Sequence, residues 1–303
     1  MLPFSRVALI GLGLIGSSLA RAVRSHMPTV RLVGHDASAA VRERVRELKL
    51  VDDVTDTAGA AVIDADLVIL CVPVGQMQSL VREFAADLAD GAVVSDVGSV
   101  KSGDVAALGG LLPPNVHFVP AHPVAGTEKS GPDAGFAELF HGRWCILTPA
   151  TGTVPTAIER LAEFWRRLGS EVEIMDAGHH DLVLAVTSHL PHLIAYSIVG
   201  TASDLEDVTR SEVIKYSAGG FRDFTRIAAS DPQMWRDVFL ANRDAVLEVL
   251  QRFNEDLTAL QRAIRWGDGD ALYTLFSRTR DIRRTIIDAG QDTAAPDFGR
   301  DHR

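Results

Sequence analysis

Short apolar runs and stretches of helical spacing alternate along the first 175 residues. The runs at 6–10, 30–34, 67–72, 92–97, 117–121, 144–147 and 171–175 are rich in apolar, often β-branched residues and read as strands. Between them Val41, Val45 and Leu48, and later Ile158, Leu161, Phe164, Trp165 and Leu168, fall on single helical faces. Such alternation predicts the α/β class, a doubly wound, mostly parallel sheet of Rossmann type with helices on both faces. After Asp176-Ala177-Gly178 the strand-like runs stop, and nearly everything to Ile287 reads as helix. The pattern predicts a sheet domain over 1–175, an all-helical domain over 176–290 and a polar, disordered tail over 291–303.

Within the helical part, 231–266 starts with a capping aspartate and Pro232 and then runs without an internal Gly or Pro. It predicts one helix of about 50 Å at ~1.5 Å per residue. Its apolar positions include Trp235, Val238, Val246, Leu250, Leu257 and Ile264. That face is more than so small a domain readily covers, which predicts a partner subunit.

Composition narrows the choice of partners. The chain has 303 residues, 47% of them hydrophobic, enough for two packed domains. A formal charge of -10 excludes the concentrated positive field that nucleic acid or an anionic membrane requires. An anionic substrate must then be held by local cations. Cys71 and Cys145 lie in apolar runs and read as small buried hydrophobes, and no spacing suits a metal. The N-terminus lacks the features of a signal peptide and no apolar stretch reaches the ~18 residues of a membrane span, so a cytoplasmic location is expected.

The first candidate site is Gly11-Leu12-Gly13-Leu14-Ile15-Gly16, between the first strand and the first helix. A glycine turn at a helix N-terminus offers backbone N–H groups and a positive dipole end to a pyrophosphate. Asp36, twenty residues after Gly16, can accept both hydroxyls of an adenosine ribose. Its charge would repel a 2′-phosphate, and neither Ala37 nor Ser38 could bind one. The loop therefore points to NAD rather than NADP.

Four further motifs carry polar chemistry: Asp96-Val-Gly-Ser-Val-Lys101, the HPVAGTEKSG run from His122, Ser188-His-Leu-Pro-His192 and the GGFRDFTR run ending at Arg226. The first two follow strands and so lie at the carboxyl edge of the sheet, where doubly wound folds bind ligands. In this order the motifs resemble those of the prephenate dehydrogenases, a family that includes arogenate and cyclohexadienyl dehydrogenases. The resemblance runs from Arg6 to about Ile287. It implies a nucleotide-binding domain followed by a helical dimerisation domain, a homodimer, and oxidative decarboxylation of prephenate to 4-hydroxyphenylpyruvate or of arogenate to tyrosine.

By the same resemblance His122 hydrogen-bonds the substrate hydroxyl, Ser99 supports that histidine, and Arg226 binds a carboxylate. His189, Thr127 and Glu128 join the substrate pocket, with Trp235 contributed across the dimer. An imidazole with its ordinary pKa near ~6.5 can accept a proton at neutral pH. His192 reads as structural, His179 and His180 as solvated residues at a helix start, and Lys101 and Lys129 as surface charges, one of which could face the nucleotide phosphates. A 3-hydroxy-acid dehydrogenase of similar architecture would need a lysine on the first helix of the second domain, and 179–200 contains none. A noncatalytic nucleotide sensor would leave His122, Ser99 and Arg226 unexplained. Prephenate and arogenate differ at one side chain, and no motif separates them.

Overall fold

A computed structural model of the chain describes residues 2–204, 215 and 219–286. Strands β1 (Arg6–Ile10), β2 (Arg31–His35), β3 (Asp53–Thr55), β4 (Leu67–Leu70), β5 (Val93–Asp96) and β6 (His117–Phe118) form one parallel sheet in the order β3-β2-β1-β4-β5-β6. Both faces are buried, as the near-continuous apolar runs require. Val7 and Leu9 of β1 enter one core cluster while Ala8 and Ile10 enter the other. Helices α1 (Leu14–His26), α2 (Ala39–Glu47), α3 (Ala58–Val62) and α4 (Val74–Phe84) connect the first strands. The strand order turns back between β1 and β4, which places the loops after β1, β4 and β5 around one crevice.

Strand β3 has no apolar run to announce it; its Asp-Val-Thr sequence suits a short, partly exposed edge. The predicted run 117–121 also divides. Pro120 cannot donate to a ladder, and beyond it the chain joins a second sheet of β7 (Ala121–Pro123), β8 (Trp144–Leu147) and β9 (Glu171–Ile174). Strand β7 runs antiparallel to β8, while β8 and β9 are parallel. Helix α5 (Pro155–Arg167) separates the last two strands and buries Leu161, Phe164 and Trp165.

Asp176 caps α6 (Ala177–Leu184), its carboxylate accepting from Gly178 N–H at 2.8 Å and His179 N–H at 3.1 Å. Pro191 has no N–H for the carbonyl four residues back, and the preceding turn, Ala185–His189, widens to π geometry before α7 (Leu190–Ser203). The run Ala177–Ser203 has a mean hydropathy of 1.6 over an 18-residue window. By length and composition it could cross a membrane, contrary to the sequence expectation, yet it buries His180, Asp181 and His189.

The long helix expected over 231–266 is two helices. After the short α8 (Gly219–Thr225), α9 (Pro232–Ala241) stops at Asn242 and α10 (Arg243–Trp266) begins after it. Asn242 leaves helical geometry, with φ −104° and ψ 31°, and its amide N–H groups reach the Asp181 carbonyl at 2.8 Å and His189 Nδ1 at 3.0 Å. Packing divides the chain at this point, into a unit ending at Arg243 and one beginning at Asp244. The first unit thus includes α6, α7, α8 and α9 with the sheets. The second comprises α10 and α11 (Gly269–Ile286), reversed through Gly267 at φ +69°. Leu247, Leu257, Ile264, Trp266, Tyr273 and Phe276 are exposed there. The expected tail 291–303 and the beginning of the GGFRDFTR motif's flank at Ser217 lie outside the described residues.

Candidate active site

The three glycines of the first turn divide the work of a dinucleotide site. Gly11 has φ +97°, and a Cβ there would fall 2.5 Å from the Cys71 carbonyl oxygen. A Cβ on Gly16 would collide with the Gly11 carbonyl, so this glycine permits α1 to pack on β1. Gly13 has nothing within 4 Å of its Cβ direction, which leaves its backbone open to a ligand. Helix α1 starts there without a side-chain cap, and the N–H groups of its first turn, from Leu14 and Ile15 onward, are available to an anion. Asp36 follows β2 at the same crevice; Oδ2 accepts from Leu12 N–H at 2.8 Å and Oδ1 from Ser38 N–H at 2.9 Å. These residues fit a dinucleotide. Arg42, which the reading of 37 and 38 overlooked, donates to the Asp36 and Ala37 carbonyls at 2.8 and 3.1 Å.

The next motif is a buried scaffold. Asp96 ends β5, and Lys101 curls back onto it; both side chains are fully buried. Lys101 Nζ bonds Asp96 Oδ2 and donates to the Ala121 carbonyl at 2.8 Å, while Asp96 accepts from Gly98 N–H at 2.8 Å and Ala121 N–H at 3.3 Å. Burial lowers the pKa of the ammonium and Asp96 works against that fall. Lys101 is therefore neither a surface charge nor a phosphate ligand. It and Asp96 fix the backbone immediately before His122. Lys129 is exposed, as expected of a surface charge.

His122 stands at the centre of β7, 7% exposed. Its Nδ1 lies 2.8 Å from His180 Nε2, and His180 Nδ1 lies 2.8 Å from Asp181 Oδ1. The Asp181 carboxylate also accepts from Lys101 N–H and Ser102 N–H, each at 2.8 Å. His122 is held well below the ordinary histidine pKa by burial, then by His180, Lys101 and His189. For Asp181, burial pushes upward but the bonds from His180, Lys101 and Ser102 outweigh it and hold the carboxyl low.

The support expected from Ser99 comes instead from His180: among the described residues no hydrogen bond joins Ser99 to His122, and the Ser99 backbone faces His189. His180, read from sequence as solvated, is fully buried. One signal was available, since His180 lies one helical turn before the buried Leu184.

The remaining candidates line the approach to this group. His189 is fully buried; Nδ1 is bonded by Asn242, Nε2 has no hydrogen-bond partner among the described residues, and burial pushes its pKa down to about 4. It stands edge-on to Trp235, ring centroids 6.1 Å apart, and Trp235 stacks on His192 at 3.7 Å. Trp235 is thus buried within its own chain, against Val100 and Val238. His192 makes the contacts of a structural residue: it bonds the Ser188 carbonyl at 2.8 Å, and burial lowers its pKa, with Arg226 close enough to add to the fall. Arg226 pairs with Glu128 at 2.9 Å, while Thr127 Oγ1 accepts from Lys129 N–H at 3.2 Å within its own turn. Electrostatic and ring contacts therefore run from His122 through His189, Trp235 and His192 to the Arg226–Glu128 pair. The arrangement joins an imidazole with little tendency to hold charge, by that chain of contacts, to a partly exposed guanidinium that an anion can reach.

Known proteins share this order. Residues 19–174 match the nucleotide-binding domain of prephenate dehydrogenase and 176–278 match its dimerization domain. A cyclohexadienyl dehydrogenase from Zymomonas mobilis is 47% identical over 94% of this chain and 97% of its own. The crystal structure of prephenate dehydrogenase from A. aeolicus in complex with hydroxyphenyl propionate and NAD+ superposes with a TM-score of 0.86 at 32% identity, covering 93% of this chain and 98% of that one. The Synechocystis arogenate dehydrogenase covers 92% and 99%, with a TM-score of 0.77 at 26% identity. Both domains, in order and nearly end to end, are accounted for by one group of proteins, and the chain belongs to the prephenate dehydrogenase family.

Proposed function

We propose that the chain catalyses the NAD-dependent oxidative decarboxylation of prephenate to 4-hydroxyphenylpyruvate, of arogenate to tyrosine, or of both, in tyrosine biosynthesis. The observation that carries this reading is the placement of His122: one ring nitrogen is committed to His180, the other is left for substrate, and ring and electrostatic contacts link it through His189, Trp235 and His192 to Arg226. The substrate is a cyclohexadienol with a carboxylate opposite its hydroxyl, and loss of carbon dioxide makes the ring aromatic. His122 accepts the hydroxyl proton as the carbon–oxygen bond gains carbonyl character. Arg226 holds a carboxylate through its planar fork. Glu128 accepts from one guanidinium nitrogen, Nη1, and so competes with the substrate carboxylate for it.

When bound, NAD supplies the hydride acceptor. Gly11, Gly13 and Gly16 with the start of α1 hold its pyrophosphate, and Asp36 its adenosine ribose. We divide the chain functionally as 1–175 for the dinucleotide and 176–290 for substrate and dimerisation, a division the two family matches support. Homodimerisation is supported by the match to a dimerization domain and by the exposed apolar side chains of α10 and α11. A shallow groove of mixed character along α10, with Leu247, Leu250 and Ala259 among Gln251, Glu255 and Arg262, lies on the same face.

The deciding measurement is an assay of both substrates with both nicotinamide cofactors. At least one substrate should be turned over, and kcat/KM with NAD should exceed that with NADP by roughly an order of magnitude or more; equal efficiencies sink the role of Asp36. Light scattering at micromolar concentration should give about twice the 32.7 kDa chain mass, and a monomer independent of concentration removes the dimer. Arg226→Ala should raise KM for prephenate by a factor of ~30 or more, about 2 kcal/mol, with NAD affinity intact. Glu128→Gln frees the guanidinium and should lower that KM a little; a rise shows that Glu128 itself holds substrate.

His122→Asn should cost about 10² to 10⁴-fold in kcat. Imidazolium cannot accept a proton, so kcat/KM must fall on the acid side. Because His122 is held well below the ordinary histidine range, that fall belongs well below pH ~6.5, not at it as the unperturbed side chain would have it. A half-maximal point at the ordinary histidine pKa refutes this environment for His122.

A further inference from the structure

The contacts behind His122 do more than hold a ring in place. Asp181, ionised at neutral pH, can only accept hydrogen bonds, so the His180 nitrogen facing it, Nδ1, carries a proton. Neutral His180 then presents an unprotonated Nε2 to His122 Nδ1, which must be the donor across their 2.8 Å contact. His122 Nε2 is left bare, as a base requires. One carboxylate thus sets both tautomers.

The same order raises a question of charge. Were His122 to keep the proton it takes from substrate, its imidazolium would sit in a dry site with no carboxylate bonded to it and with the buried Lys101 ammonium close by. Asp96, which bonds the Ala121 N–H just before His122, is already matched to Lys101. One imidazole further on, a cation would lie 2.8 Å from Asp181. Opposite charges at such a separation in a dry interior attract far more strongly than in water.

We propose that His180 is a relay residue: the substrate proton moves to His122 Nε2 while the His122 Nδ1 proton moves to His180 Nε2, so that the positive charge rests on His180 against Asp181. The step balances. The hydroxyl O–H bond breaks and its electron pair becomes part of the new carbonyl as hydride passes to NAD; the His122 Nδ1–H bond breaks as the His180 Nε2–H bond forms. His122 ends neutral, protonated on Nε2, and Asp181 stays a carboxylate. As carbon dioxide leaves, the electron pair of its bond to the ring makes the ring aromatic and returns charge to the same oxygen; the two protons then move back along the same path, His122 Nε2 giving one to that oxygen to form the phenol, so both histidines are reset with no net proton released. His180 is fully buried, so the way out leads through His122. Asp181 and His180 act on substrate only through His122.

The inference rests on His122 being the base, and its test separates the two. His180→Gln offers an oxygen to His122 Nδ1–H and an N–H to Asp181, preserving orientation and tautomer, but it cannot take a proton. The relay predicts that kcat falls roughly 10²-fold while NAD affinity is unchanged. Nitrogen-15 spectra of histidine-labelled enzyme should still show His122 protonated on Nδ1, the His122→Asn variant identifying its signals. Turnover within threefold of wild type overturns the relay, as does a loss accompanied by a switch of the His122 tautomer, which would make His180 an orienting group alone. Wild-type enzyme gives an answer even where the variant does not fold. With hydride transfer limiting the rate, shown by a deuterium effect at the carbinol carbon, the dependence of kcat on the deuterium content of water should curve, because two protons move. A straight line, or a His122 that carries its proton on Nε2 at rest, overturns the proposal. Should His122→Asn itself turn over normally, it is the catalytic role of His122 that fails.

Discussion

The carboxylate of Asp181 is the point through which the site is assembled. It lies on α6, the first helix after the sheets, yet it is bonded to the backbone of Lys101 and Ser102, eighty and seventy-nine residues earlier in the chain. Through His180 it reaches His122 on β7, and its own carbonyl is held by Asn242 at the end of α9. Four segments that the chain brings in separately are thereby registered on one residue. Buried charges are costly unless every lone pair is used, and here three N–H groups surround two oxygens. The helical part therefore does not dangle from the sheet part at residue 176; as far as Arg243 they pack as one unit.

The Lys101–Asp96 pair does for β7 what Asp181 does for α6. Both polar groups of Ala121 are held, the N–H by Asp96 and the carbonyl by Lys101. Pro123 follows directly on the other side of His122. A histidine so restrained on a three-residue strand has little orientational freedom to lose when substrate binds, which is where much of the gain from preorganisation lies.

What could be read from sequence was what is local. The glycine turn and Asp36 are fixed by spacing within one βαβ unit, and each glycine sits where that geometry requires it. Most strands of the large sheet announced themselves because both its faces are dry, so their central positions are apolar on either side. Strand β3 and the start of the second sheet did not, the one being polar and the other marked only by Pro120. The site was legible as motifs but not as contacts. His180 and Lys101 looked solvated because histidine and lysine usually are, and only partners such as His122 for the one and Asp96 with the Ala121 carbonyl for the other, brought together by the fold, make them buried. The break at Asn242 was hidden for a related reason: its amide is withdrawn from the helix by His189 and Asp181, which no periodicity records.

The burial that keeps His122 uncharged has a consequence for the molecule as a whole. An unfolded chain would protonate this histidine, and His189 with it, once the pH drops below about 6.5, whereas the folded chain resists until much lower. Over that interval the unfolded state binds more protons, so stability drains away as acidity rises. Asp181 continues the trend at lower pH, because its folded carboxyl is also held down and its bonds are lost on protonation. Catalytic competence near neutrality and tolerance of acid are thus opposed in this fold, and melting temperatures should begin to fall as the pH drops below about 6.5.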